Sequence, residues 1–379
     1  MPTPVVVAAV RTPQGRAGGV FADLRSEALS IAVIDDLLAE TDLTGEAVDD
    51  LLWGCAQQRG EQDNNLARVI ALCSALGETT PAATINRWCA SSMQAIISAA
   101  DAIAAGNRDC VVAGGVESMS RLGMETPDAD SLYPALSNRY DIGALEMGRT
   151  AETVATGHDV SRDAQDAYAV RSHHRAAAAT RSGRFDDEIV PIETDDGVGV
   201  DTDEGIRPDT SADALAALKP AFVEGGTVTA GNASQLADGA AGVVVTSEEF
   251  ADEHGLSPLA RIGANAVAGV DPRVMGIGPV PATRRLLDRT GRTIDDYGLI
   301  ELNEAFASQT VHATRELEID DDRLNVNGGA IALGHPLGAS GARLPVTLLH
   351  EMERREVDRG LATLCVGFGQ GAAIEFRRS

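Results

Sequence analysis

The sequence predicts an α/β fold of two similar portions flanking a loop-rich middle, on three observations. Short apolar runs of strand character alternate with longer segments of helical periodicity toward both ends of the chain. From about Met119 to Ala237 that alternation thins out, leaving a helical run near Ala151 to Ala179 and an acidic, loop-rich tract from Thr194 to Thr210. Glycine and alanine are abundant while Phe, Trp and Tyr make up only 3% of the 379 residues, so the interior has to be packed from small side chains with backbones in close approach.

In chain order, Pro4 to Val10 reads as a strand running into the loop RTPQGRAGG, followed by helical periodicity from Leu24 to Leu38. A short apolar segment at Leu51 to Cys55, a helical stretch from Asn65 to Leu76 and a strand end at Thr84 to Asn86 come next. A helix opens near Cys89 and stops at Gly106-Asn107, and Cys110 to Ala113 is a buried-type strand that the Gly114-Gly115 pair is expected to end. Past the middle region, Ala241 to Thr246 is an apolar strand, Pro281 to Arg289 a helix and Leu299 to Leu302 a strand. Asn325 to Asn327 leads through a glycine-rich turn into a helix from about Ala339 to Arg354. The chain closes on two strands, Leu361 to Val366 and Gly371 to Phe376, joined by GFGQG.

Charge narrows the function classes. The chain carries 57 acidic and 31 basic residues for a formal charge of −26, with Lys219 the single lysine. Such a field repels nucleic acid and anionic membranes. Acidity spread along the chain, with no acidic tail, matches the composition of halophilic cytoplasmic proteins, in which concentrated salt screens the repulsion. Neither a charged and apolar leader nor 18 consecutive apolar residues is present, so the expectation is a cytoplasmic protein without membrane insertion. The five cysteines show no CxxC spacing, which argues against a disulfide framework or a zinc cluster.

Four stretches carry residues suited to chemistry. In INRWCASSMQAIISAADAIAAG, Cys89 stands where a β-prone segment gives way to a helix that is apolar or tiny on nearly every side. Amides at the helix start would stabilise a thiolate, whereas an ordinary packed thiol is the plainer reading. In NVNGGAIALGHPLGASGAR, His335 sits in a glycine-dense turn, either as a structural residue or as a base for a thiol proton. In CVGFGQG, Cys365 is followed by alternating glycines whose amides serve an oxyanion hole or simply a tight hairpin. GFGQG joins two strands with no helix after it, so it is no phosphate-binding fingerprint. In ELNEAFASQ, Asn303 is either a helix cap or a site donor. Cys55, Cys73 and Cys110 lie in apolar segments and read as core thiols, and the Asp195-Asp196 pair reads as a solvated face.

Together these stretches resemble the thiolases, as do MGRTAETVA at 147–155, HDVSRDAQDAYAVRSHHRA at 158–176, GTVTAGNAS at 226–234 and MGIGPVPA at 275–282. The resemblance covers essentially the whole chain in order. It implies a five-layered α/β/α/β/α fold, with 1–118 and 237–256 as the first half, 119–236 as an inserted loop domain and 257–379 as the second half. It implies Cys89 as the nucleophile that is acylated, His335 as the residue that activates it, Cys365 as the acid/base at the α-carbon, and Asn303 as the holder of an oxyanion-hole water. The amides of Cys89 and Gly367 match a second oxyanion hole. Ser234 and Arg207 match positions associated with coenzyme A, and Met147 and Met275 match pocket residues.

The resemblance further implies that coenzyme A thioesters are substrates, that no metal or redox cofactor is needed, and that the chain forms a homodimer or a homotetramer. SSMQA, DEGIRPDTSADALAALKPAF and LATLCVGFGQG look most like bacterial thiolases of fatty-acid β-oxidation, implying thiolytic cleavage of 3-ketoacyl-CoA. The alternatives are an acetoacetyl-CoA thiolase condensing two acetyl-CoA and, outside enzymes, an acyl-CoA or lipid-binding protein on the same scaffold. Three positions depart from common family patterns: Glu146 stands where many members carry histidine, Ser92 where biosynthetic members carry glycine, and Phe368 where glycine is common.

Overall fold

The computed structural model describes residues 1–124, 132–194 and 196–378. Asp195 of the acidic pair lies outside the described residues, and Asp196 is exposed. A ten-stranded sheet runs in the order Leu299–Leu302, Arg359–Val366, Gln370–Arg377, Ala260–Gly269, Pro4–Arg11, Ala237–Ser247, Cys110–Ser118, Asp50–Gly54, Ala82–Ile85, with the short Gly15–Arg16 strand beside Ala237–Ser247. Its middle is narrow, because Pro4–Arg11 and Ala260–Gly269 share only the partners Val5–Arg261 and Val6–Ala260. The sheet is therefore two half-sheets hinged at one seam.

The halves repeat one pattern. Asp50–Gly54 runs parallel to Cys110–Ser118, which is antiparallel to Ala237–Ser247, itself antiparallel to Pro4–Arg11. In the second half Leu299–Leu302 runs parallel to Arg359–Val366, which is antiparallel to Gln370–Arg377, itself antiparallel to Ala260–Gly269. Alternation of side chains along the strands then sorts the core into layers. Val111, Ala113, Ala362 and Leu364 face a central cluster that contains both the Ser91–Ala104 and Leu337–Arg354 helices. Cys110 and Val112 face the opposite way, under the Ser26–Thr41 and Leu66–Cys73 helices. Leu361 and Ala373 pack under Pro279–Thr290 and Ala307–Leu317. Helices outside, sheets inside them and a helix pair at the centre make the five-layered α/β/α/β/α arrangement.

Small residues let the central layer close. A Cβ on Gly341 would lie 2.5 Å from the backbone nitrogen of Met93, and one on Gly338 would lie 2.3 Å from the carbonyl of Val116. Ser92 Oγ accepts from the amide of Ala342 at 2.8 Å, a direct bond between the two central helices. Close approach also explains a departure from expectation, since Gly114 and Gly115 do not end their strand, which continues to Ser118. A Cβ on Gly115 would fall 2.4 Å from the carbonyl of Gly338, so this glycine is there for packing.

Other boundaries move for local reasons. The helical run near Ala151 to Ala179 is two helices, Met147–Gly157 and Arg162–Arg181, separated by Asp159 at φ 51° and restarted by Ser161, whose side chain accepts from the amide of Ala164. The Ala260–Gly269 strand had no strong sequence signal, because alternating small residues pair it with the C-terminal strand. Cys73 is exposed at the outer end of its helix and is no core thiol, whereas Cys55 and Cys110 are buried. All five cysteines are free.

Buried charge ties the middle region to the first half. The Arg11 guanidinium, fully buried at the end of the first strand, donates to Glu188 Oε1 at 2.7 Å and to Asp203 Oδ1 at 2.7 Å. These carboxylates offset the burial and hold its pKa above the ordinary guanidinium value. We expect Gly341→Ala to lower unfolding stability by about 1–3 kcal/mol, because the methyl meets the backbone of the facing helix, which cannot rotate aside. A urea midpoint equal to that of the unaltered protein would show that the two central helices are not in the contact described.

Candidate active site

Both central helices begin at one cavity. The Ala82–Ile85 strand runs into a turn in which Trp88 adopts φ 46°, a left-handed conformation costly for an aromatic residue, and Cys89 follows just before the helix starting at Ser91. In the second half a turn through Gly334 at φ 117° presents His335 just before the helix starting at Leu337. Cys365 lies near the end of the Arg359–Val366 strand, one residue before Val366. The cavity, about 300 Å³, is lined by Cys89, His335 and Cys365 together with Ser234, Met147 and Met275. Leu145, Phe222, Phe306 and Phe368 make much of its remaining wall apolar.

Hydrogen bonds assign the imidazole tautomer. Ser340 Oγ lies 2.6 Å from His335 Nδ1 and donates its one proton to the carbonyl of Pro336 at 2.9 Å. A Ser340 proton committed to Pro336 puts the ring proton on Nδ1 and leaves Nε2 as the acceptor. Asn303 Nδ2 approaches Nε2 at 3.3 Å, and Asn303 Oδ1 is buried without a partner. Asn303 does not cap a helix, because the next helix starts at Ala307. Its neighbour Glu304 fixes the local backbone, accepting from Tyr168, Ser172, Asn325 and the amide of Ile331.

Burial decides the resting protonation states. It pushes the Cys89 thiol up to about 11, against hydrogen bonds to the sulfur from the amides of Gly367 and of Cys89 itself. The helix start therefore does not yield a free thiolate, and desolvation wins over the nearby amides. Burial, with the Arg343 guanidinium nearby, lowers His335 to about 3. These shifts favour the neutral thiol and the neutral imidazole at pH 7. The Cys365 thiol is also raised, first by burial and then by negative charge on Cys89, which makes simultaneous ionisation of the two sulfurs unfavourable. Arg343 itself is paired with Glu301 at 2.8 Å, both buried.

Among the remaining residues singled out from sequence, Arg207 is exposed and stands away from the cavity wall, with its amide donating to His173 Nδ1 at 3.2 Å. Glu146 lines the cavity mouth and pairs with Arg149. Ser340 escaped the sequence reading, although its place five residues after His335 on the first turn of a helix was the available signal. Phe222 and Phe306 also escaped it, because nothing local distinguishes a cavity wall from a core face.

Two family models match consecutive parts of the chain: the thiolase N-terminal domain over residues 4–249 and the thiolase C-terminal domain over 256–378. The chain belongs to the thiolase family. It is 48% identical to a 3-ketoacyl-CoA thiolase of Cronobacter sakazakii, over 99% of both chains. It is 47% identical to one from a Marinomonas strain, over 99% of this chain and 98% of that one. Among solved structures, the Bacillus anthracis acetyl-CoA acetyltransferase superposes with a TM-score of 0.92 at 42% identity, covering 100% of this chain and 99% of that one. Human mitochondrial 3-ketoacyl-CoA thiolase in complex with CoA also gives 0.92, at 40% identity and 100% and 98% coverage.

With its thiol at about 11, Cys89 should react with iodoacetamide at a rate that is still climbing between pH 8 and pH 10, by about tenfold per unit. Peptide mass spectrometry in a Cys73→Ser background reads that rate. A plateau below pH 8 would mean that the sulfur is already ionised, contrary to the burial argument.

Proposed function

We propose that the protein cleaves 3-ketoacyl-CoA with coenzyme A to give acetyl-CoA and an acyl-CoA two carbons shorter, through an acyl group held on Cys89. The observation that carries this reading is one cavity lined by two thiols and an imidazole, with Asn303 Nδ2 standing 3.3 Å from the imidazole Nε2. The names of the similar proteins support it.

In the first step Cys89 Sγ attacks the 3-keto carbon while His335 Nε2 takes the thiol proton. The C2–C3 bond then breaks, its electron pair stays on C2 as an enolate, and Cys365 gives its S–H proton to C2, releasing acetyl-CoA. Coenzyme A enters and gives its thiol proton to the Cys365 thiolate, and its sulfur displaces Cys89 from the shortened acyl group, the departing Cys89 sulfur taking back the proton held on His335. The amides of Cys89 and Gly367 stabilise the tetrahedral oxyanion, and His335 with a water on Asn303 stabilises the enolate oxygen. The unpartnered Asn303 Oδ1 is suited to such a water. Ser234, Met147 and Met275 line the pantetheine and acyl path, and Arg207 meets coenzyme A outside the cavity. No metal or redox group enters any step.

The runner-up substrate is acetoacetyl-CoA, favoured by the likeness to an acetyl-CoA acetyltransferase. The apolar wall formed by Leu145, Phe222 and Leu236 favours longer acyl chains. Residues 119–236 act as one substrate-binding insertion. The free outer edge of the Ala82–Ile85 strand supports assembly into a homodimer or a tetramer of dimers in the cytoplasm, and the charge of −26 supports a halophilic setting.

We expect kcat/KM in thiolysis to rise from four-carbon to longer 3-ketoacyl-CoA substrates, whereas activity confined to the four-carbon substrate would transfer the assignment to acetoacetyl-CoA. Cys89→Ser should lose at least about a thousandfold in kcat and take up no acyl adduct from acetyl-CoA. Cys365→Ala should still acetylate Cys89 while losing carbon–carbon cleavage, and equal loss of both steps would remove the division of labour between the thiols. On dilution from molar potassium chloride to low salt, activity and the light-scattering mass of the assembly should fall together, and full retention of both would count against the halophilic reading.

A further inference from the structure

The residues just before Cys89 grip the loop just after Cys365. The Arg87 guanidinium donates to Gln370 Oε1 at 3.1 Å, and its Nε donates to Gln94 Oε1 at 2.9 Å on the helix that follows Cys89. One residue on, the Trp88 ring stacks on Phe368, with centroids 5.6 Å apart and planes at 30°. Both stacked residues have left-handed backbones, Trp88 at φ 46° and Phe368 at φ 59°. Such geometry is costly for aromatic side chains and is kept only where the surroundings require it. Gly367 immediately precedes these ties, a Cβ built on it would lie 3.6 Å from Trp88 Cγ, and its amide is near enough to the Cys89 sulfur to favour the thiolate.

We infer that Trp88 and Phe368, reinforced by Arg87 and Gln370, form a clamp between the two halves of the molecule that positions the Gly367 amide on the sulfur of Cys89. The inference rests on the reading of Cys89 as the acylated nucleophile. The clamp residues are positioning residues, since they act through Gly367 on the reacting atom. A shift of the 366–370 loop relative to the Trp88 turn moves that amide away, so the thiolate, and later the oxyanion formed on the carbon bonded to the sulfur, each lose a donor. The clamp crosses from one half to the other, and so it couples the halves where the reaction needs both.

Phe368→Gly tests the clamp without endangering the fold, because glycine adopts φ 59° without strain. Iodoacetamide alkylation of Cys89 as a function of pH, steady-state thiolysis and acetylation by acetyl-CoA should be measured on the unaltered protein, Phe368→Gly, Trp88→Ala and Trp88→Phe. The alkylation profile of Phe368→Gly and of Trp88→Ala should move to higher pH by about one unit, with kcat lowered about tenfold and KM changed less. Trp88→Phe, which keeps an aromatic face against Phe368, should recover most of both effects. An alkylation profile and kcat in Phe368→Gly equal to those of the unaltered protein would overturn the clamp, as would Trp88→Phe failing as fully as Trp88→Ala. Absence of an acetyl adduct on Cys89 of the unaltered protein would instead remove the reading of that residue as nucleophile.

Discussion

The packing of the Ser91–Ala104 helix against the Leu337–Arg354 helix is the contact on which the rest depends. Each helix is launched from a residue of the site, Cys89 or His335, so the distance between thiol and imidazole is inherited from the distance between helix axes. That distance is short because Gly341 and Ser92 leave no bulk in the interface, and Ser92 adds a hydrogen bond across it. The repeated half-sheets do the remaining placement. The strand bearing Cys365 occupies in the second half the place that Cys110–Ser118 occupies in the first, and its end delivers the second thiol to the same cavity.

Around this centre the chain buries charge in organised groups. Glu117 is fully buried and accepts from Gln62 and from the amides of Ala56, Gln57 and Gly338, the last being on the first turn of the helix after His335. Desolvation raises its pKa against those four donors. Glu301, pushed up to about 7 by burial, is held by Arg343, whose charge in turn helps keep His335 neutral. Buried groups of this kind contribute little net stability, yet removing one partner strands the other, so they penalise alternative arrangements of the turns that carry the site. The cost of desolvation is what sets the protonation states of the reacting groups.

Much of the fold was legible in the residues, as were several of the segments that meet at the cavity. Strand and helix periodicity at both ends located the elements to within a few positions, and the motifs around Cys89, His335, Cys365 and Asn303 marked four segments that the fold brings together. What was not legible has a common physical origin in contacts between distant segments. Gly114 and Gly115 read as a strand end because local sequence cannot reveal that Trp53 and Ala241 press on the first and Gly338 on the second. Ala260–Gly269 was missed because small residues carry a weak strand signal until a partner strand is present. Cys73 read as core because its helix is apolar on more sides than it buries. The helix start beside Cys89 suggested an ionised sulfur, but the competing desolvation depends on layers contributed by the entire chain.

The buried Arg11 group has a consequence for how substrate reaches the cavity. Its partners Glu188 and Asp203 both lie in the segment between the Cys110–Ser118 and Ala237–Ser247 strands, and Thr347 on the second central helix donates to Glu188 as well. Swinging that region outward as a hinged flap would leave a guanidinium without counter-charge in an apolar interior, at a cost of about 3–5 kcal/mol. Access to the cavity by way of such a swing is therefore disfavoured.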